Sequence, residues 1–188
     1  MGVRHQASWL VIVLLWAFAE ATVFFLVPDI ALTAVLVIFG ISAALRMARY
    51  AAIVAAIGGA VMYVFAARDP EAAFAVIRSV PLIGDDLIVR VQQEFSGVWP
   101  IALGIGAITG APYKIYASVA GTQGVSIMLF LVVSVIARFS RFALLIGIFA
   151  AGQLVLRRIG CAHWDWRFFG LFWGAIYMTY TIIRLPAS

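Results

Sequence analysis

The sequence predicts an all-α fold, a polytopic membrane protein with two re-entrant helical hairpins, about three to four spanning helices and amphipathic interfacial helices. Three observations predict it. Of 188 residues, 65% are hydrophobic and 11% charged, and the mean hydropathy is +1.10, whereas soluble domains carry roughly 45–50% apolar residues. Apolar runs long enough to cross a bilayer alternate with runs too short to cross. The short runs are broken by proline beside a charge, at Pro28-Asp29 and at Pro112-Tyr113-Lys114. The whole chain, 1–188, reads as one transmembrane domain.

Residues 8–45 make the first predicted hairpin. Its first arm, 8–27, is apolar except for Glu20 and gives about 30 Å of helix, just enough to cross. Pro28-Asp29 stops it. Residues 30–45 give roughly 24 Å, which suits an arm that enters and leaves on one side. Arg4 and His5 ahead of the apolar run superficially suggest a signal peptide, but the run is long, contains Glu20 and lacks a small-x-small cleavage site, so it is expected to stay in the mature protein.

Residues 50–67 read as the first clear span. Ala51, Ala55 and Gly59 recur along one face, where a neighbouring backbone can approach closely. Arg68-Asp69-Pro70-Glu71 ends it, because proline after a charge pair does not continue a helix. Residues 71–96 interleave charges with apolar positions such as Phe74, Ile77, Leu82, Leu87 and Ile88. Two short amphipathic helices on the membrane surface, divided near 81–84, are expected there.

The second predicted hairpin is 98–121. Its first arm spans only about 21 Å and is loosened by Pro100, Gly104, Gly106 and Gly110. The Pro112-Tyr113-Lys114 turn follows, then a short arm to Gly121, so Pro28, Pro112, Gly110 and Gly121 are read as the hairpin breaks. Residues 125–156 are helix-compatible with Arg138 and Arg141 near the middle. Either one long helix buries both arginines or two short ones place them at an interface. Phe130, Ser134, Arg138 and Arg141 fall on one helical face. Residues 168–183 are the final span, in an aromatic belt of Trp164, Trp166, Tyr177 and Tyr180 and closed by Arg184.

Arg4, Arg46, Arg49, Arg157, Arg158 and Arg167 gather on one side of this layout, which predicts a cytoplasmic N-terminus; re-entrant hairpins and hairpins that cross twice leave the loops on the same sides, so the count is compatible with both. The same asymmetry, with anionic headgroups, accounts for the net charge of +5 without nucleic acid. One cysteine, Cys161, gives no internal disulfide, and His5 and His163 lack ligand spacing, so neither a metal nor another cofactor is expected. No catalytic cluster is apparent.

The candidate chemistry lies in the charges at bilayer depth. An ionisable group there needs a partner, a water cavity or a ligand. Lys114 stands more than twenty residues from any other charge except Glu94 upstream. Glu20 reads as a protonatable carboxyl or as a structural ion pair with Lys114 or an arginine. Asp29 reads equally as a site carboxylate and as the N-cap of the helix it precedes. Lys114, Arg138 and Arg141 suit a lipid phosphate, lysine as a point charge and arginine as a planar fork. Snorkelling to the headgroups is the plain alternative for the arginines. Tyr113 and Tyr116 flank Lys114, placed either to bond the same headgroup or to pack.

On Ala111-Pro112-Tyr113-Lys114-Ile115-Tyr116, Ala120-Gly121, Phe130 and Ala137-Arg138-Phe139-Ser140-Arg141-Phe142, the chain resembles the DedA superfamily, also called the SNARE-associated or VTT-domain family, most closely its small YqaA-like bacterial members. Phe18-Ala19-Glu20 with Val27-Pro28-Asp29 is similar to that family's first hairpin, and Gly58-Gly59-Ala60-Val61-Met62-Tyr63 to its following helix. The resemblance implies two oppositely oriented re-entrant hairpins meeting at mid-membrane in a bacterial inner membrane. It also implies movement of undecaprenyl-phosphate or phospholipid, in many members with proton-motive-force dependence. By position it places Glu20 and Asp29 as the acidic pair and Lys114 as one cation of a basic pair. Ala107 stands where larger members have a further arginine, a charge that Arg138 and Arg141 are able to supply.

The expected function is therefore a lipid transporter, flipping or scrambling its substrate, with Glu20, Asp29, Tyr113, Lys114, Arg138 and Arg141 as the transport site. Its partners are membrane lipids with an anionic phosphate, and protons if the carboxylates titrate; a homo-oligomer is compatible with the sequence. The alternatives are a structural or assembly protein that maintains the envelope, and a lipid-pyrophosphate enzyme, for which the metal carboxylates and base are missing from the sequence.

Overall fold

The computed structural model describes residues 3–81, 83–160 and 165–184, and these form helices and turns with no strand. In chain order the helices are α1 (Val3–Thr22), α2 (Asp29–Phe39), α3 (Ile41–Arg68), α4 (Pro70–Arg78), α5 (Asp85–Phe95), α6 (Trp99–Thr109), α7 (Tyr113–Thr122), α8 (Ile127–Arg158) and α9 (Asp165–Arg184). The readings placed on Leu82, Cys161, His163 and Trp164, and on the side chains of Arg4, Tyr180 and Arg184, lie outside the described residues.

Helix α3 is the hub, packed against α1, α2, α4, α7 and α8. Its small-residue face explains why. Ala51, Ala52, Ala55, Gly58 and Gly59 are all buried. A Cβ at Gly58 would lie 2.9 Å from that of Ala21 on α1, and one at Gly59 would collide with the Tyr113 ring on α7. On the opposite side of that contact, Gly121 of α7 rests against the Tyr63 carbonyl. Dispersion between closely approached backbones, which a larger residue would forbid, holds these helices together.

Among the described residues, α3 and α8 are the helices long and apolar enough to cross a membrane. At 28 and 32 residues they extend about 42 and 48 Å, beyond a hydrocarbon core of about 30 Å. Their outward faces are apolar: Ile53, Ile57 and Val61 on α3 and Met128, Val132 and Ile136 on α8 are exposed.

The elements differ from the sequence expectation in two places and decide an open alternative in a third. The break after the first unit falls at Gly40, in a positive-φ conformation (φ 85°) that glycine adopts readily, so α3 begins at Ile41 and carries Arg46 and Arg49 within it. Residues 127–158 form one continuous helix, which decides between the long-helix and two-helix readings. The amphipathic pair is present as α4 and α5, but its apolar side, including Ile77, Leu87, Val91 and Phe95, is buried in the protein core and not reserved for a membrane surface. The charges at the junction do act as stop signals: Asp69 caps α4 by accepting from the Ala72 N–H (3.0 Å), with Pro70 in its first turn.

Candidate functional site

Two breaks in the helical backbone face the middle of α8. The first is the 23–28 segment between α1 and α2, folded back so that Trp16 Nε1 donates to the Leu26 carbonyl (2.9 Å). The second is 110–112 between α6 and α7, where Gly110 takes the left-handed conformation (φ 83°) and its N–H closes α6 on the Gly106 carbonyl. Pro28 and Pro112 each stand immediately before a new helix. Gly121, by contrast, is not a break; it lies inside α7, where its missing Cβ admits the α3 backbone.

Each break exposes unpaired backbone groups, and charged side chains meet them. Lys114 Nζ donates to the Phe24 carbonyl (2.7 Å). Arg141 Nη1 donates to the Ala107 carbonyl (2.8 Å) in the last turn of α6, and its Nε donates to Asp29 Oδ2 (3.2 Å). Asp29 is the first residue of α2, so its negative charge lies at that helix's positive end, as the cation of Arg141 lies at the negative end of α6. Asp29 makes no side-chain cap; Pro28 occupies the cap position, and the carboxylate that the N-cap reading assigned to the α2 amides is taken by Arg141.

Glu20 and Arg138 form a buried ion pair, the Arg138 Nη2 donating to Glu20 Oε2. The guanidinium lies between two rings, 5.0 Å from the centroid of Tyr113 and 5.1 Å from that of Phe142, an arrangement that favours a cation in a desolvated place. Arg138 therefore does not snorkel; it is 2% exposed. Tyr113 is buried beneath it and stacks on Phe130. Tyr116, read as a second flank of Lys114, points elsewhere and donates to Glu94 on α5 (2.7 Å).

The six candidate residues Glu20, Asp29, Tyr113, Lys114, Arg138 and Arg141 thus occupy one cluster built from α1, the 23–28 segment, α2, α7 and α8. Its charges do not balance. Glu20 and Asp29 pair with Arg138 and Arg141, while the bond described for Lys114 goes to a neutral carbonyl. With all five groups ionised the cluster carries one positive charge in excess.

Two cavities adjoin it. A half-open cleft of about 630 Å³ lies between the end of α6, the middle of α8 and α9, with Arg141 as its charged wall residue and Leu144, Leu145 and Ile148 among its apolar ones. A chamber of about 40 Å³ is lined by Glu20 and Lys114. Phe25, Val27 and Tyr177 border both.

The sequence reading missed Tyr177 and Trp173 as parts of this site. Tyr177 Oη accepts from the Val27 N–H (3.1 Å), and Trp173 Nε1 donates to Thr33 Oγ1 (2.8 Å) inside the core. Aromatic residues near the end of a last helix fit an interfacial belt equally well, so only the fold reveals these bonds.

No family model matches the chain, and neither a curated protein nor a solved structure matches it.

Proposed function

We propose that this protein is a DedA-like transporter that flips or scrambles a lipid with an anionic phosphate, undecaprenyl-phosphate or a phospholipid, across a bacterial inner membrane. In this reading the α1–α2 and α6–α7 units are the two re-entrant hairpins, α3 and α8 span the bilayer with α1 and α9 beside them, and the N-terminus is cytoplasmic. The carrying observation is the unbalanced cluster beside an apolar-walled cleft. One excess positive charge matches one lipid phosphate, and a cleft of about 630 Å³ falls in the range of small-molecule sites. Arg141 meets the headgroup from the cleft wall, Lys114 holds the uncompensated charge, and Glu20 and Asp29 take up a proton if the phosphate displaces their arginines. Broken helices are the usual means of bringing polar backbone to such depth.

The test is translocation of a fluorescent phospholipid and of a polyprenyl phosphate in vesicles containing the purified protein. Losing a hydrogen bond to a charged group corresponds to about 1.5–3 kcal/mol, so Lys114→Gln and Arg141→Gln should each slow transport about tenfold or more per folded molecule. Unchanged rates in both variants would overturn the site. A drop in stability with unchanged transport would favour the structural or assembly role.

A further inference from the structure

The cleft and the chamber share three lining residues, Phe25 and Val27 from the 23–28 segment and Tyr177 from α9, and the chamber is lined on another side by Val80, Pro81 and Ile83 between α4 and α5. The chamber, at about 40 Å³, has room for a few water molecules and not for a headgroup. Lys114, the cation outside the two described ion pairs, faces that chamber and is 1% exposed. Arg141 faces the cleft. A phosphate passing from one to the other meets the three shared residues.

We propose that Tyr177 is the gate between an outer anion site at Arg141 and an inner one at Lys114, opened when the second half of α9 swings away from the 23–28 segment. The proposal rests on the lipid-phosphate reading of the cluster and adds the residue that controls passage within it. Among the described residues, the anchoring of α9 is one-sided. Its first half is fixed by Phe168 and Phe172 packed on Phe149 (ring centroids 4.9 and 5.3 Å), by Gln153 donating to Asp165 (3.0 Å), and by the buried Trp173–Thr33 bond. Beyond Trp173, the side-chain hydrogen bond described between α9 and the rest of the protein is Tyr177 to Val27. Gly174, with open space where a Cβ would stand, follows Trp173 directly and gives the helix a weak point there. The Tyr177 hydroxyl accepts in this bond, so its own proton remains to be offered to a passing phosphate oxygen.

Access to Lys114 tests the gate without any lipid. In the full chain with Cys161→Ser, Lys114→Cys is labelled by an anionic methanethiosulfonate in detergent micelles. Tyr177 is compared with Tyr177→Phe, which keeps the ring and loses the Val27 bond, and with Tyr177→Ala, which removes the ring. Labelling should be slow with Tyr177, several-fold faster with Tyr177→Phe and about tenfold or more faster with Tyr177→Ala. Equal rates in all three would overturn the gate. If Tyr177→Ala does not fold, the Tyr177→Phe comparison decides alone. Because labelling involves no transport, a gate that fails here leaves the transport reading standing, and a protein that moves no lipid can still show the gate.

Discussion

The Glu20–Arg138 pair invites a double-mutant cycle. Both side chains are nearly dry, 6% and 3% exposed, and among the described residues Arg138 Nε has no hydrogen-bond partner, so water does little to stabilise a charge left alone there. Breaking a buried pair costs about 3–5 kcal/mol. Glu20→Gln leaves the guanidinium between Tyr113 and Phe142, whose ring faces return about 1 kcal/mol, and the expected cost is about 4 kcal/mol. Arg138→Met leaves a carboxylate that shares its chamber with Lys114; partial compensation lowers the expected cost to about 3 kcal/mol. The double variant removes both charges at once, so it should cost about 3–4 kcal/mol, well short of the sum, for a coupling of about 3–4 kcal/mol. Reversible unfolding in mixed micelles measures all four proteins. Single costs that add within about 0.5 kcal/mol would refute the pairing.

Glycine and the α5–α7 contact supply the remaining expectations. Gly121→Ala forces a Cβ against the Tyr63 carbonyl and should cost about 1–3 kcal/mol, whereas Gly104→Ala, in α6 with open space around it, should stabilise by up to about 1 kcal/mol; thermal melts of the two variants compare them directly. The hydrogen bond from Arg90 first, and the one from Tyr116 after it, hold the Glu94 carboxyl below its usual range despite desolvation. The unfolded carboxyl therefore binds protons more readily, and the stabilisation is full above the usual glutamate pKa of about 4.3 and lost as pH falls through the lower folded value. The stability gap between wild type and Glu94→Gln should accordingly be flat from neutral pH to about 5 and close below about 4, as read by denaturant titration at each pH.

Much of this was legible in the residues because an apolar chain makes every exception conspicuous. Glu20, Asp29, Lys114, Arg138 and Arg141 stand out for that reason, and the fold gathers them into one cluster. Their partners were not legible: that Lys114 meets the Phe24 carbonyl while Arg138 takes Glu20 depends on where a 23–28 segment without regular structure comes to rest. Gly40 is inconspicuous in the sequence beside Arg46 and Arg49, which mark a more obvious boundary, yet charges near a helix start need not end it. Gly121 looks like a break in the sequence because close packing and chain reversal both call for glycine, and only the approach of α3 separates the two.

The unbroken course of α8 fixes which parts of the protein are free to move. Arg138 and Arg141 stand on one rod, about 4.5 Å apart along its axis, and between them they hold Glu20, Asp29 and the end of α6. Sliding or turning that rod displaces both guanidinium groups together, so its motion cannot release one carboxylate while keeping the other. Any cycle that empties and fills the two halves of the cluster in alternation would leave α8 as the stator and assign the moving parts to the 23–28 segment and the second half of α9.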